Sequence, residues 1–431
     1  MAVMSFLIWV NSYIGHPRII EKIRQQAIVR ANANISILAI KANILDGFKL
    51  KNVYVEKHDE NAAEADGFKQ DHCTNLNIDQ IEVRYSLFHL MLRQLNLNKV
   101  HFKDSKLKIV QYKDGSWDLP ELDPMLKIFT QPSIEMVGQR FALSLDKFRI
   151  TNGQLAAYHR DEWPIINLHG INLDGEFALQ PDGPISSSSI TVDRIVLANT
   201  FSIRNITGDL QSEHGKLSID KWQGTAHSGT ASGSASLDFT TQPAIYKIAL
   251  DLDQVDLSKM ITELGGAASF IYGRLNLQAG IEGDLRQVSA SQGTGSMEIE
   301  NANFSKLQGL RLLGRLLKIN ELADATYEKV HGAFKIEDQK LTFYDIEALH
   351  KSVQFTGSGS LYFDGRMDLD IMFAIEPELA DRIPEEYQPS FGKRPDGYRT
   401  IVFKLAGDIN NPRTNLDEKL AGQSSLLLSH K

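Results

Sequence analysis

From Leu275 to the end of the chain, apolar residues recur at every second position in short runs, and turn residues separate the runs. Three rows illustrate the pattern: Leu275, Leu277, Ala279 and Ile281; Met367, Leu369, Ile371, Phe373 and Ile375; and Ile401, Phe403 and Leu405. Side chains on a strand point alternately to opposite faces, so each run gives a sheet one apolar and one polar face. The pattern predicts a mainly β protein with an extended apolar sheet face.

Composition and charge narrow the possible functions. The chain has 431 residues, of which 42% are hydrophobic, so it is too apolar for general disorder. With 46 basic and 54 acidic residues and a net charge of -8, it offers no overall attraction for nucleic acid or anionic lipid headgroups. The single cysteine, Cys73, excludes an internal disulfide framework and a cysteine-based zinc site, and we interpret it as a buried or incidental thiol.

The first 14 residues are apolar, but Asn11 and Ser12 interrupt them and they are shorter than the roughly 20 residues of a spanning helix. Basic residues follow this stretch and none precedes it, unlike the order in a signal peptide. We interpret residues 1–16 as the remnant of a truncated, uncleaved signal anchor. Its membrane-anchor residues are Phe6, Leu7, Ile8, Trp9 and Val10. The alternative is a short hydrophobic helix buried in the fold.

The first half of the chain reads as one helix followed by strands. Residues 18–33 have a helical period that begins after Pro17, and residues 87–95 predict a second helix. Residues 56–74 and 114–132 are polar or proline-rich and predict loops. Strands are predicted at 35–40, 47–56, 76–83, 107–112, 141–145 and 148–150.

The second half continues in the same style. A β-meander is predicted from strands at 190–197, 201–206, 216–222, 233–239 and 246–252, with residues 181–189 as a loop at a sheet edge and a helix at 256–270. A leucine-rich helix is predicted at 307–319, where Arg311, Arg315 and Lys318 lie away from the leucines. Two readings of this helix stay open: contact with a membrane or partner, or a lid whose leucines pack on the sheet.

No motif for catalysis or cofactor binding is present. The sequence contains no nucleophile elbow, P-loop or HExxH, and its twelve histidines have no close metal-ligand spacing. Asp251, Asp253 and Asp256 resemble part of a calcium loop, but the loop would need glycine at the position of Asp256. We predict a non-enzymatic protein without metal or cofactor, although 54 acidic residues leave paired carboxylates for acid–base chemistry open and nothing singles out one pair. A glycan-active enzyme is the distant alternative, and it would require carboxylates to converge with Trp163 or Trp222 in a cleft.

The order of several short phrases resembles one protein family. They are Gly273-Arg-Leu-Asn-Leu-Gln-Ala-Gly280, Gly295-Ser-Met-Glu-Ile-Glu-Asn-Ala302, Gly332-Ala-Phe-Lys-Ile-Glu-Asp338, Phe355-Thr-Gly-Ser-Gly-Ser-Leu361 and Val402-Phe-Lys-Leu-Ala-Gly407. In this order they resemble the AsmA-like C-terminal region of bacterial envelope proteins, which are related to bridge-like lipid transfer proteins. Asp46-Gly-Phe-Lys-Leu-Lys-Asn-Val53 and Tyr112-Lys-Asp-Gly-Ser-Trp117 extend the resemblance toward the N-terminus.

The resemblance implies a fold, a location and a function. It implies a long antiparallel, rolled or taco-shaped β-sheet with an apolar groove, and an N-terminal membrane-anchor helix that holds the chain in the inner membrane. The bulk of the chain would then lie in the periplasm. The implied function is to bind or conduct phospholipids between inner and outer membrane in support of outer-membrane biogenesis. The implied organisation is an anchor remnant at 1–16, an N-terminal region at 17–270, a C-terminal domain at 271–416 and a flexible tail at 417–431.

The alternating rows supply the candidate residues for such a groove, where acyl chains would rest while headgroups stay in water. An ordinary closed core built from the same residues is the alternative. A second function in the same envelope is a scaffold that presents sheet edges to an outer-membrane or periplasmic protein partner and so assists outer-membrane protein assembly. The lipid-groove candidates are Tyr246, Ile248, Leu250, Leu252, Leu275, Leu277, Ile281, Met297, Ile299, Phe334, Phe343, Phe355, Met367, Leu369, Ile371, Phe373, Ile401 and Phe403.

Overall fold

The structure is a computed structural model. It describes residues 33–43, 47–57, 75–86, 88–89, 94–112, 115, 117, 133–136, 139–159, 164–180, 183–197, 201–213, 215–263, 272–303, 314, 317, 319, 326–350, 352–362, 364–408 and 411–421. In this part the chain is mainly β, with three short helices and one long, open, largely antiparallel sheet of 22 strands. The prediction of a long antiparallel sheet is confirmed. Among the described residues, no helix combines the length and apolarity that crossing a membrane requires.

The strands follow one another with few interruptions. They are β1 (Ala33–Asn43), β2 (Gly47–Lys57), β3 (Asn75–Tyr85), β4 (Gln94–Gln111), β5 (Ser133–Met136), β6 (Gln139–Leu145), β7 (Lys147–His159), β8 (Pro164–Gln180), β9 (Gly183–Leu197), β10 (Phe201–Glu213), β11 (Lys216–Ala226), β12 (Gly229–Asp238), β13 (Ile245–Asp256), β14 (Tyr272–Asp284), β15 (Gln292–Asn303), β16 (Thr326–Glu337), β17 (Lys340–Leu349), β18 (Val353–Tyr362), β19 (Arg366–Ile375), β20 (Gly392–Lys393), β21 (Arg399–Asp408) and β22 (Asn411–Thr414). The helices are α1 (Leu257–Glu263), α2 (Pro377–Ala380) and α3 (Leu416–Ala421), with 3₁₀ turns at Val288–Ala290 and Gln388–Ser390.

The chain divides into two compact units. Unit 1 consists of Met1–Gly224 and Ser234–Tyr246, and unit 2 consists of Thr225–Gly233 and Lys247–Lys431. The breaks between the units fall within β11, β12 and β13. Apolar alternation continues through β13 and β14 alike, so the sequence alone gives no sign of these breaks. The organisation with a boundary at 270/271 stays a prediction.

Unit 1 is largely an antiparallel meander. Strands β1 to β4 pair antiparallel in chain order, and so do β7 to β10. Strand β4 pairs in parallel with β6 through residues 94–97 and with β7 through residues 100–111. Parallel neighbours need a long crossover connection, and the segment between β4 and β7, which contains the β5–β6 hairpin, supplies it.

Unit 2 continues the meander from β14 to β19, and β21 then pairs with β19. The chain between β19 and β21 carries α2, the second 3₁₀ turn and the short strand β20. Strand β22 forms a hairpin with β21, and α3 follows it. The predicted tail 417–431 therefore begins inside a helix, in which Leu420 is buried.

Several predicted elements differ from the structure. Residues 183–189 are not a loop: they begin strand β9, in which Ser186 to Ser189 pair with β8. The serine-rich composition suggested a loop, but backbone pairing needs no apolar side chain. Strand β8 was not predicted. The predicted helix at 87–95 extended too far, because β4 begins at Gln94.

Other predictions lie wholly or mostly outside the described residues. These are the anchor at 1–16 with Phe6, Leu7, Ile8, Trp9 and Val10, the helix at 18–33, most of the loops at 56–74 and 114–132, and the part of the helix at 256–270 beyond Glu263. In the described part of the leucine-rich segment 307–319, Leu317 and Ile319 are fully buried.

Many strands contain one position where the side-chain alternation shifts by one residue. At these positions Asn52, Asp104, Asn152 and Asn205 in unit 1, and Gln254 and Asn301 in unit 2, have a positive φ. The positions align across neighbouring strands: the β2–β3 and β3–β4 registers place both Asn52 and Asp104 opposite Asp79. A left-handed residue inside a strand bends it and increases its twist. We call the aligned positions the kink line.

Side-chain hydrogen bonds hold the kink line in the same way in both units. In unit 1 the Asn152 backbone N–H donates to Asn172 Oδ1 at 3.0 Å, and Asn152 Nδ2 donates to Asp104 Oδ1 at 2.6 Å. In unit 2 the Gln254 backbone N–H donates to Asn276 Oδ1 at 2.8 Å. Asn276 Nδ2 in turn donates to Glu300 Oε1 at 3.0 Å. An asparagine on the next strand thus satisfies the amide that the left-handed residue would otherwise leave without a ladder partner.

Replacing Asn276 with alanine tests this arrangement. We expect the free energy of unfolding to fall by about 1–2 kcal/mol, because the change removes a part-buried acceptor from the Gln254 amide. Gln278→Ala, two residues along the same strand and exposed, is the matched control and should change stability by less than about 0.5 kcal/mol. Urea unfolding of the two variants measures the difference, and equal midpoints would contradict a role for the asparagine.

Candidate functional site

The register of unit 2 gathers the predicted apolar rows onto one face. One row across the sheet contains Leu277, Met297, Gly332, Ile346, Gly357, Ile371 and Phe403. The next contains Ala279, Gly295, Phe334, Phe343, Gly359, Leu369 and Leu405, and the one beyond contains Ile281, Gly293, Ile336, Leu341, Leu361, Met367 and Gly407. On the other side of the first row lie Leu275, Ile299, Val330, Ala348, Phe355, Phe373 and Ile401. We call these four rows the apolar face.

Fourteen of the eighteen candidate residues lie on the apolar face. They are Leu275, Leu277, Ile281, Met297, Ile299, Phe334, Phe343, Phe355, Met367, Leu369, Ile371, Phe373, Ile401 and Phe403. The other four belong to β13, where Leu252 is buried, Tyr246 and Leu250 are half-buried and Ile248 is 40% exposed. The Lys247–Glu282 ion pair, at 3.3 Å, places Lys247 with the polar side chains of β14.

Glycines on the apolar face make room for large neighbours. A Cβ atom on Gly295 would lie 2.4 Å from Cζ of Phe334, and one on Gly357 would lie 2.8 Å from Cδ1 of Ile371. These large side chains therefore cover the glycine of the adjacent strand. The Phe334 ring also meets Phe343 edge-on at a centroid distance of 5.7 Å.

This packing predicts opposite effects for two glycines of one hairpin. Gly295→Ala should lower the free energy of unfolding by about 1–3 kcal/mol, because the new methyl group meets Phe334 and, at 2.6 Å, the Gln278 carbonyl oxygen. Gly280→Ala should be neutral or stabilising by up to about 1 kcal/mol, because no atom lies within 4 Å of its Cβ position. Chemical unfolding checks the pair, and a stable Gly295→Ala variant would show that the ring does not rest on the glycine.

One cluster on the apolar face is built from a single side of the sheet. Phe334, Ile336 and Phe343 are buried, at 9% exposure or less. The side chains packed against them are Leu277, Ala279, Ile281, Met297, Leu341, Ile346 and Leu361, all from the same face of β14 to β18. Neighbouring strands thus bury these rings without a side chain from another layer in the described cluster. Met367 and Leu369, farther along the face, are half-buried.

At one end of the strands the apolar face is covered. Val353, Phe373, Ile375, Ile401 and Phe403 of β18, β19 and β21 form a cluster with residues outside the sheet. Those residues are Leu317, Ile319, Leu379, Ala380, Ile383, Phe391, Leu416 and Leu420. We call this cluster the cap. Because Leu317 is fully buried in it, the described part of the leucine-rich segment packs on the sheet.

The opposite face carries ion pairs between strands. Lys404 Nζ lies 3.5 Å from Asp368 Oδ1 and 3.6 Å from Asp370 Oδ1, and these carboxylates raise the pKa of Lys404. Lys329 donates to Glu298 at 2.9 Å, which likewise raises the pKa of the lysine. Asp368, Asp370 and Glu298 each lie next to apolar-face residues in the sequence. Strands β15 and β19 therefore have one polar and one apolar face, as predicted.

The tight turns at the strand ends away from the cap form a polar rim. In the β18–β19 turn, the Arg366 guanidinium lies 4.8 Å from the ring centre of Tyr362 and donates to Asp364 Oδ2 at 2.7 Å. Backbone and side-chain hydrogen bonds from Arg366 lower the pKa of Asp364. The apolar face is thus bounded at one end by the cap and at the other by charged turns.

Unit 1 has a similar apolar face, for which the sequence analysis named no candidate except Tyr246. Its register aligns Leu50 with Ile81, Ile81 with Phe102, and Phe102 with Ile150. The rings of Phe102 and Phe148 meet at 5.5 Å. The kink line hides this face in the sequence, because the apolar residues of β2 fall at Leu50 and then Val53 instead of at every second position. A search that allows a three-residue step at Asn or Asp would have found it.

Polar groups also gather beside α1. His227 Nδ1 lies 3.2 Å from Glu263 Oε2, and Lys259 Nζ donates to Ser228 Oγ at 2.6 Å. A shallow surface depression here is lined by His227, Ser258, Lys259, Thr262 and Glu263. The contacts tie the β11–β12 turn to α1. Within the described part of the chain, no group of three or more His, Cys, Asp or Glu side chains could hold a metal ion.

Of Trp163 and Trp222, which the glycan-active alternative would require in a cleft, only Trp222 belongs to the described residues. Trp222 lies on β11 and is half-buried, whereas Trp163 falls outside the described residues. Comparison with protein-family models, with curated proteins and with solved structures finds no match for this chain.

Proposed function

We propose that the protein binds phospholipids by their acyl chains on the apolar face, and that it conducts them between the inner and outer membranes of a bacterial envelope. In this proposal it is not an enzyme. The chain is held in the inner membrane by its N-terminal apolar segment, and the rest lies in the periplasm and supports outer-membrane biogenesis. The resemblance to the AsmA family supports the location, and the sheet supports the mode of binding.

The observation that carries the proposal is the one-sided cluster around Phe334. Its members all come from one face of β14 to β18, and half-buried Met367 and Leu369 extend the same face. Large apolar patches that stay accessible mark binding surfaces in soluble proteins. An acyl chain needs only such a surface, while its headgroup can stay in water at the polar rim near Arg366.

Site-specific photocrosslinking in cells that express the full chain tests the proposal. A benzophenone amino acid at Leu369 should form covalent adducts with phospholipid, which mass spectrometry of the purified protein identifies. The matched control is Met372 on the same strand, which lies on the other face and is 36% exposed. We expect phospholipid adducts at Leu369 and about tenfold fewer at Met372, because the benzophenone inserts into C–H bonds within its reach.

Equal lipid labelling at the two positions, or none at Leu369, would contradict acyl-chain binding on this face. The scaffold alternative gives a different result. If the protein presents sheet edges to a partner strand, a benzophenone at an edge position such as Leu38 of β1, which is 74% exposed, would capture polypeptide and Leu369 would capture no lipid.

A further inference from the structure

The polar face of β1 to β4 in unit 1 collects positive charge that the whole-chain composition conceals. One row pairs Lys41 with Lys49, Lys49 with Glu82 and Glu82 with His101. The next row pairs Lys51 with Gln80 and Gln80 with Lys103, and the row nearest the β3–β4 connection pairs Arg84 with Lys99. We call Lys41, Lys49, Lys51, Arg84, Lys99 and Lys103 the basic patch.

Within β1 to β4, all of whose residues in these rows the structure describes, Glu82 is the single carboxylate of the three rows. Asp79 and Asp104 lie at the adjoining kink line, and Asp174 of β8 pairs with Arg149 where the first row continues. Glu82 is 9% exposed, accepts hydrogen bonds from Arg84 Nε and Nη2 at 3.1 and 3.0 Å, and lies 3.6 Å from Lys49 Nζ. One buried carboxylate thus offsets one charge of six, in a chain whose net charge is -8.

The charges of the basic patch lower the pKa values of two titratable groups among them, Glu82 and His101. Burial alone would raise the pKa of Glu82, but the hydrogen bond from Arg84 and the charges of Lys49, Arg84 and Lys99 lower it. His101 is buried and its Nε2 lies 2.8 Å from Thr151 Oγ1. Burial lowers the pKa of His101, and the charges of Lys99, Lys103 and Arg149 lower it further.

An exposed aromatic side chain lies close to the patch in sequence. Phe88, in the connection that joins β3 and β4, is 69% exposed and follows Arg84 by four residues. Cations next to an exposed aromatic ring are the combination that binds a bilayer surface, because the cations meet phosphates and the ring enters the interfacial layer. Basic residues also precede β1 in the sequence, at Arg18, Lys22, Arg24 and Arg30.

We propose that the basic patch, with Phe88 at its margin, docks unit 1 onto the anionic phosphate surface of a lipid bilayer. This site is separate from the apolar face, and the proposal does not depend on lipid carriage. The contact would be electrostatic, so it weakens as salt screens charges beyond a Debye length of about 10 Å at 0.1 M.

Vesicle flotation tests the docking with the full chain in which Phe6, Leu7, Ile8, Trp9 and Val10 are replaced by serine, because this parent cannot bind vesicles through the proposed anchor. The probes are phosphatidylcholine vesicles with and without phosphatidylglycerol, at low and high salt. We expect the parent to prefer the anionic vesicles by about tenfold or more at low salt, and Lys51→Glu/Lys103→Glu to lose about tenfold of that binding. The control, Lys393→Glu/Lys419→Glu, makes the same charge change at exposed lysines of unit 2 and should bind like the parent.

Phe88→Ala separates the two components of the contact. It should weaken binding to anionic vesicles about threefold while leaving the salt dependence unchanged, because it removes only the apolar term.

Equal binding of the parent to neutral and anionic vesicles, or full binding by the Lys51/Lys103 variant, would overturn the proposal. So would tighter, patch-dependent binding of a fluorescent single-stranded DNA, which would assign the patch to nucleic acid. Lipid adducts at Leu369 should persist in the patch variant, so the two proposals can fail separately.

Discussion

Replacing Phe373 with aspartate should unfold the sheet around the cap. Phe373 has no exposed surface, and its ring lies 4.7 Å from that of Phe355 within the cap cluster. Removing the ring alone, as in Phe373→Ala, should cost about 3–5 kcal/mol from lost apolar burial and the cavity left behind. Aspartate also buries an unpaired charge at the same place. The cost of the lost ring and the cost of the buried charge together exceed the free energy of unfolding that a single domain normally has.

Hydrogen exchange measured by mass spectrometry locates the expected damage. Amides of β18, β19 and β21 should exchange rapidly in Phe373→Asp, whereas those of β7 to β9 in unit 1 should stay protected. Met372→Asp is the matched control, because Met372 is the adjacent residue on the other face and is 36% exposed. It should change stability by less than about 1 kcal/mol. Native protection of β19 in Phe373→Asp would mean that the cap does not pack on the apolar face.

The apolar face of unit 2 could be predicted because its alternation is nearly unbroken. In β19 the side-chain alternation runs without a shift from Met367 to Ile375, and in β21 it does so from Arg399 to Gly407. Counting every second residue therefore finds the apolar face directly. The pairing order followed from the short connections between strands. What alternation could not show is which part of that face is covered, because cap residues such as Leu379 and Leu416 come from outside the strands.

Unit 1 was harder to interpret for a different physical reason. At Asn52, Asp104, Asn152 and Asn205 the backbone turns into the left-handed region, and the alternation resumes one residue out of phase. A search for strict alternation therefore sees two short fragments where the structure has one long strand, and this is why β7 was predicted only as far as Ile150. The basic patch could not be found from the sequence either, because its residues come together only through the register of four strands.

Placing aspartate on the accessible part of the apolar face should abolish lipid binding without unfolding the protein. Met367 and Leu369 suit this purpose because they are half-buried and belong neither to the cap nor to the cluster around Phe334. In Met367→Asp/Leu369→Asp, two carboxylates would lie where an acyl chain must lose contact with water, and burying an unpaired charge there is strongly unfavourable. We expect phospholipid recovered with the full chain, measured by extraction and mass spectrometry, to fall more than about tenfold.

The matched control places the same charges on the other face of the same two strands. Met372→Asp/Val402→Asp replaces exposed apolar residues that are register neighbours, so its cost to folding should be similar or smaller. It should retain the phospholipid of the parent. Thermal unfolding and circular dichroism establish that both variants are folded before their lipid is compared. Equal phospholipid in the two folded variants would exclude the apolar face of β19 as the binding surface. Loss confined to Met367→Asp/Leu369→Asp is the result that acyl-chain binding on this face requires, because the two variants differ in the face that carries the charge and not in the amount of charge.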